Sequence, residues 1–113
     1  MRRAGWLAPL LIVMACRSPE LEALNAEVDA LESKVAGLKP GDTETKILEI
    51  LGPPTSSGST FHLSQSTGHE RQYADAARSG SVRYHSWFRG VDITCTVGID
   101  IAGRLAYKAC GGT

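Results

Sequence analysis

Alternation with a period of two near the C-terminus most limits what this chain can fold into. Val82, Tyr84, Ser86 and Phe88 alternate with Arg83, His85, Trp87 and Arg89. After Gly90, the residues Val91, Ile93, Cys95, Val97 and Ile99 alternate with Asp92, Thr94, Thr96, Gly98 and Asp100. Leu105, Tyr107 and Ala109 continue one face of a third run. Successive strand side chains point to opposite faces, so the pattern predicts three antiparallel strands, each with one apolar face. A three-residue turn, Ile101-Ala102-Gly103 with the glycine left-handed, pairs Asp100 with Arg104 and Ile99 with Leu105. Val97 then faces Tyr107 and Cys95 faces Ala109, one residue short of Cys110. A Cys95–Cys110 disulfide therefore needs a bulge or an irregular strand end, because a one-residue slip reverses every side chain.

A sheet with an apolar face needs a cover. Residues 43–51 provide a short amphipathic helix: Asp42 or Thr43 can cap it, Glu44 suits the first turn, and Ile47, Ile50 and Leu51 share a face. Gly52 and Pro53 stop it. Upstream, Leu21, Leu24, Val28, Leu31, Val35 and Leu38 recur at alternating spacings of three and four, a heptad seam that ends before Pro40-Gly41. Ser18 is a candidate N-cap and Pro19 suits the first helical position. A parallel coiled coil would set Glu27 against Glu32 and Lys34 against Lys39. An antiparallel partner, or docking on another protein, fits those charges better, and the acidic polar face disfavours a helix lying on lipid. As a spacer the helix would span ~25–30 Å. The segment from Thr55 to Thr60 reads as a Ser/Thr/Gly loop, and Phe61 with Leu63 suggests a short strand. Residues 70–78 read equally as a short helix or a loop.

The N-terminus carries a different signal. Arg2 and Arg3 precede an apolar stretch from Trp6 to Ala15, well short of the ~20 residues a bilayer span needs. It has the build of a secretory signal peptide. Val13-Met14-Ala15-Cys16 resembles the bacterial lipobox, in which the cysteine takes a diacylglyceryl group, the chain is cut before it, and the new amine is acylated. The alternative is a plain signal with a coincidental cysteine. The expected division is residues 1–15 as lipoprotein signal, 16–39 as the lipidated Cys16 and the coiled-coil-like helix, and 40–113 as an α+β domain. Two or three acyl chains hold a protein firmly, since each buried CH₂ contributes ~0.8 kcal/mol. The membrane is thus an expected partner through Cys16, and Arg17 in place of an Asp favours the outer membrane facing the periplasm. The 12 basic and 12 acidic residues become an acidic excess of two once Arg2 and Arg3 are removed. That balance argues against nucleic acid and against an anionic-lipid patch. With Cys16 assigned to lipid, Cys95 and Cys110 form an even pair in an oxidising compartment and read as a disulfide, with two buried thiols as the alternative.

Leu38-Lys39-Pro40-Gly41-Asp42-Thr43, followed by Ile47 to Leu51 and Gly52-Pro53-Pro54, resemble the opening signature of the SmpA/OmlA (BamE-like) outer-membrane lipoproteins. The aromatic strand, the alternating strand and Asp100-x-x-Gly103-x-Leu105 resemble their closing pattern. Asp42 stands where that family usually has Met, and neither the heptad helix nor residues 64–80 has a counterpart. The resemblance implies a small two-layer α+β sandwich, helices on a three-stranded antiparallel sheet, similar to the repeat of β-lactamase-inhibitor protein. It also implies a non-catalytic role in envelope assembly, with an envelope protein as partner.

No nucleophile motif, paired-carboxylate spacing or phosphate loop is visible, so the chain reads as a non-enzyme without cofactor or small-molecule substrate. His62, His69 and His85 are scattered and read as surface residues rather than metal ligands. Arg83, His85, Trp87 and Arg89 form a predicted outward stripe of residue types common at binding hot spots. The competing reading is a strand face covered by residues 64–80. An inhibitor-like or ligand-binding module displayed from the membrane, or a structural envelope spacer, are the alternatives to an assembly factor.

Overall fold

The computed structural model describes residues 19–63, 68–90 and 93–111. The expected signal sequence, Cys16, Ser18, Val91 and residues 64–67 lie outside them. The chain is α+β, with three helices, α1 (Pro19–Ala36), α2 (Glu44–Leu51) and α3 (Glu70–Arg78). Four antiparallel strands lie in the order β1 (Ser56–Gly58), β2 (Ser81–Arg89), β3 (Ile93–Asp100) and β4 (Leu105–Gly111). The sheet thus has four strands where the alternation predicted three. The addition, Ser-Ser-Gly, is too short and polar to carry an alternating pattern, and Phe61 and Leu63 lie outside any strand.

Local chemistry sets the element ends. The Thr43 side chain accepts the Lys46 N–H at 3.2 Å and caps α2. Gly52, at φ 81°, turns the chain out of the helix while its N–H still reaches the Leu48 carbonyl. At the β3–β4 hairpin Gly103 has φ 80°, and the Asp100 carboxylate accepts the N–H groups of Ala102 and Arg104. The loop and the Ile99–Leu105 pair match the three-residue turn read from sequence.

Past that pair the register shifts. Gly98 faces Tyr107, so Ala106 is a bulge, Val97 faces Lys108 and Cys95 faces Cys110, to which it is disulfide-bonded. The bulge sends Leu105 and Tyr107 to opposite faces. One face joins Trp87, Cys95, Val97, Ile99 and Leu105 to Leu31, Val35 and Leu38 and to Ile47 and Leu51 of α2. The other joins Tyr84 to Phe61, Leu63 and Ala76, with Tyr107 and Ala109 alongside. Phe61 meets Tyr73, Tyr84 and Tyr107 edge-on, with ring centroids 5.0–5.6 Å apart. Helices therefore cover both faces of the sheet, giving a third layer beyond the two-layer sandwich read from sequence.

This two-sided cover overturns the predicted orientation of β2. Trp87 is fully buried, while Val82 and Phe88, assigned to the apolar face, are about half exposed. Val82 sits at a second register shift, between the pairs made by Ser81 and Arg83. The alternation marks two faces, but with apolar layers on each it does not say which face meets which layer.

The heptad helix divides in use. Leu31 and Val35 are buried in the main core, whereas Leu21 is 56% and Leu24 37% exposed. Leu31→Ala should therefore destabilise the protein by about 2–4 kcal/mol, and Leu24→Ala by under about 1 kcal/mol, measured by urea unfolding. Replacing Cys95 and Cys110 together by Ala opens a link of 15 residues and should cost about 3 kcal/mol. Reduced wild type should unfold at the same urea concentration as that double variant.

Candidate functional site

The stripe read as outward-facing instead meets α2. Trp87 donates its indole N–H to the Gly52 carbonyl at 3.1 Å, just past the C-terminal end of that helix. At the other end Glu44 accepts from the Arg83 guanidinium through both oxygens, at 2.9 Å from Nε and 2.6 Å from Nη2. His85 lies between them along β2, its Nε2 2.6 Å from Glu44 Oε2. Arg89 stands apart, donating to the Phe88 carbonyl. Arg83, His85 and Trp87 thus share one helix, and Arg89 takes no part.

The network extends to the sheet edge. Ser57 on β1 lies 2.7 Å from His85 Nδ1. A carboxylate only accepts, so Nε2 carries the hydrogen toward Glu44, and in the neutral ring Nδ1 accepts from the Ser57 hydroxyl. The side chains of His85 and Glu44 are mostly buried, at 12% and 23% exposure, and that of Arg83 is 44% exposed. The hydrogen bonds from Arg83, then those from His85, outweigh partial desolvation and hold the Glu44 carboxyl down to about 2.

Ser57, His85 and Glu44 form a hydroxyl–imidazole–carboxylate relay of the type that activates serine nucleophiles. Here Arg83 shares the carboxylate that would otherwise stabilise an imidazolium. The relay is accordingly better suited to clamp α2, β1 and β2 together than to move a proton. Sequence reading missed two of its members, Glu44 having the look of a helix-start acid and Ser57 of a loop residue. The available signal was the pair of polar residues Arg83 and His85 on the same strand face as Trp87.

The other candidates read from sequence scatter. His62 is exposed beside the β1 loop, and His69 precedes α3. Among the described residues no three His, Cys, Asp or Glu side chains converge as metal ligands. A second feature lies across the sheet from the clamp: a depression of about 160 Å³ rimmed by the β1 loop and floored by β2. No family model, no curated protein and no solved structure matches the chain.

Glu44 makes stability pH-dependent with a definite sign. Its carboxyl is depressed from 4.5 in the unfolded chain to about 2, so its contribution is complete above about pH 5 and is lost as pH falls through that interval. After allowance for the exposed Arg83, that contribution is ~2 kcal/mol. Glu44→Gln should be less stable than wild type at pH 7, and the difference should shrink steadily between pH 5 and pH 2. Urea unfolding of both proteins across that range reads the difference directly.

Proposed function

We propose that the chain is a lipid-anchored, non-catalytic accessory protein of the bacterial outer membrane, resembling the SmpA/OmlA lipoproteins, that docks on an envelope assembly protein. The lipobox at Cys16 and the motifs around Pro40, Gly52 and Gly103 support the family reading. In a β-lactamase-inhibitor-like arrangement, α2 and the strands after it would be the shared unit, with β1 and α3 as additions.

The observation that carries the docking role is the division of α1. Its C-terminal half belongs to the core, while its N-terminal half exposes Leu21 and Leu24 immediately after the lipid anchor expected at Cys16. From Pro19 to Leu31 the helix rises ~18 Å, which would set the globule off the membrane and present this seam between the two. Glu20, Glu22, Glu27, Asp29 and Glu32 precede Lys34, the first basic residue of the helix. Such a surface suits a partner groove with an apolar floor and basic walls. It disfavours both a second copy of the same helix and an anionic bilayer. Among the described residues no helix is long and apolar enough to cross a membrane.

The test is affinity capture of the lipidated protein from bacterial membranes beside Leu21→Glu/Leu24→Glu. Wild type should retain a β-barrel assembly protein that the double variant loses, with unfolding midpoints unchanged. Retention by both proteins would move the contact away from α1. Failure of both to hold any envelope protein would favour the spacer role.

A further inference from the structure

On the face of the sheet opposite the clamp, the depression beside β1 has the chemistry of a sugar site. Its rim is Ser56, Ser57, Ser59 and Thr60, with His62 at one side and Ser86 in the floor. Among the described residues no carboxylate, guanidinium or ammonium group lines it, so apart from the His62 imidazole it offers no group to balance a charge on an occupant. The nearest cation along β2, Arg83, is already held by Glu44. A phosphate or carboxylate ligand would find no fixed cation there to pair with.

A neutral polyol needs none. Hydroxyl groups donate and accept, so a rim of them matches a molecule whose own groups do the same. The floor is preset: Ser86 is bonded to Thr96, whose hydroxyl reaches the His62 carbonyl, and the Tyr84 hydroxyl donates to Ala76. Among the described residues the Ser56, Ser59 and Thr60 hydroxyls make no side-chain hydrogen bond and remain available to an occupant. β1 is an edge strand, so its outer backbone groups add donors and acceptors beside the rim. At three residues it is too short to register an added peptide strand.

An exposed aromatic ring, Phe88, stands just outside the rim and neighbours His62. Phe88 lies two residues beyond Ser86 on the same face of β2, is 45% exposed, and its ring centroid is 6.5 Å from that of His62. A phenylalanine half exposed beside a hydroxyl-rich hollow presents a ring to which the C–H face of a pyranose can stack. We propose that this depression binds a neutral saccharide, with one pyranose ring held by the Ser56–Thr60 rim and stacked against the Phe88–His62 flank. The site is separate from the seam of α1 and does not depend on the assembly role.

The test is an NMR titration of the full lipidated chain in a sugar-free detergent, with the N-acetylglucosamine trimer and with maltotriose as probes. Saturable shifts should appear in the amides of residues 56–62 and 84–88 with at least one of them. Phe88→Ala should weaken binding about threefold to tenfold, and His62→Ala, a second exposed position, should do the same with the spectrum otherwise preserved. A response to the trimer alone would identify an N-acetylhexosamine glycan, to maltotriose alone a neutral hexose glycan, and to both the pyranose ring they share. Absence of shifts with either sugar at tens of millimolar, or shifts unchanged in both variants, would overturn the site.

Discussion

The structure depends on the attachment of α2 along β2. Eight residues of helix separate Glu44 from Gly52, a rise of about 12 Å. Four residues of strand separate Arg83 from Trp87, about 13 Å. The two lengths agree, so one strand face carries matching partners for both ends of the helix: Arg83 and His85 for Glu44, and Trp87 for the Gly52 carbonyl. Between those fixings Ile47 and Leu51 are buried against the sheet. A two-turn helix is unstable alone, and here its position is set by polar contacts at its ends while burial supplies the stabilisation between them.

Covering both faces of a four-stranded sheet has a consequence for function. With α1 and α2 on one side and α3 with Phe61 and Leu63 on the other, the described residues leave no broad sheet face for a partner. Recognition of a partner would be displaced to the periphery, where the large exposed apolar side chains lie. Those include Leu21 and Leu24 on α1, Phe88 near the end of β2, and Ile101 at the hairpin tip. Arg83, His85 and Trp87 have the composition of a hot spot because a docked internal helix makes the same physical demands as a docked protein: an aromatic anchor and polar groups with partners.

Much of this was legible in the sequence, for identifiable reasons. Thr43, Gly52 and Gly103 act through their own neighbours, so the bounds of α2 and the β3–β4 turn follow from local chemistry. The Cys95–Cys110 pairing was legible as a conflict with simple alternation, and the bulge at Ala106 resolves it. What escaped depended on contacts distant in sequence. β1 is defined only by its partner β2, and α3 by the aromatic cluster it covers, where Tyr73 meets Phe61. The orientation of β2 could not be read because Tyr84 and Trp87 are both buried, on opposite faces. In the clamp, Glu44 and His85 are 41 residues apart and Ser57 and His85 are 28 apart, beyond the reach of any local pattern.

The two edges of the sheet are finished differently, and this separates the two proposed surfaces. At β4 the edge is partly closed by residues 41–44, which exchange backbone hydrogen bonds with Leu105 and Gly103. Lys108, also on β4, donates to the carbonyls of Val35, Ala36 and Leu38, capping α1 and tying it to that side. A load applied to α1 by a partner or a lipid anchor would therefore pass into β4 and the disulfide-linked pair beside it. The β1 edge lies three strand spacings away, about 14 Å, and carries the small residues Ser56, Ser57 and Gly58, all exposed to solvent. A ligand bound beside β1 would then leave the hold of α1 on the sheet undisturbed, and a partner bound to α1 would leave the depression accessible.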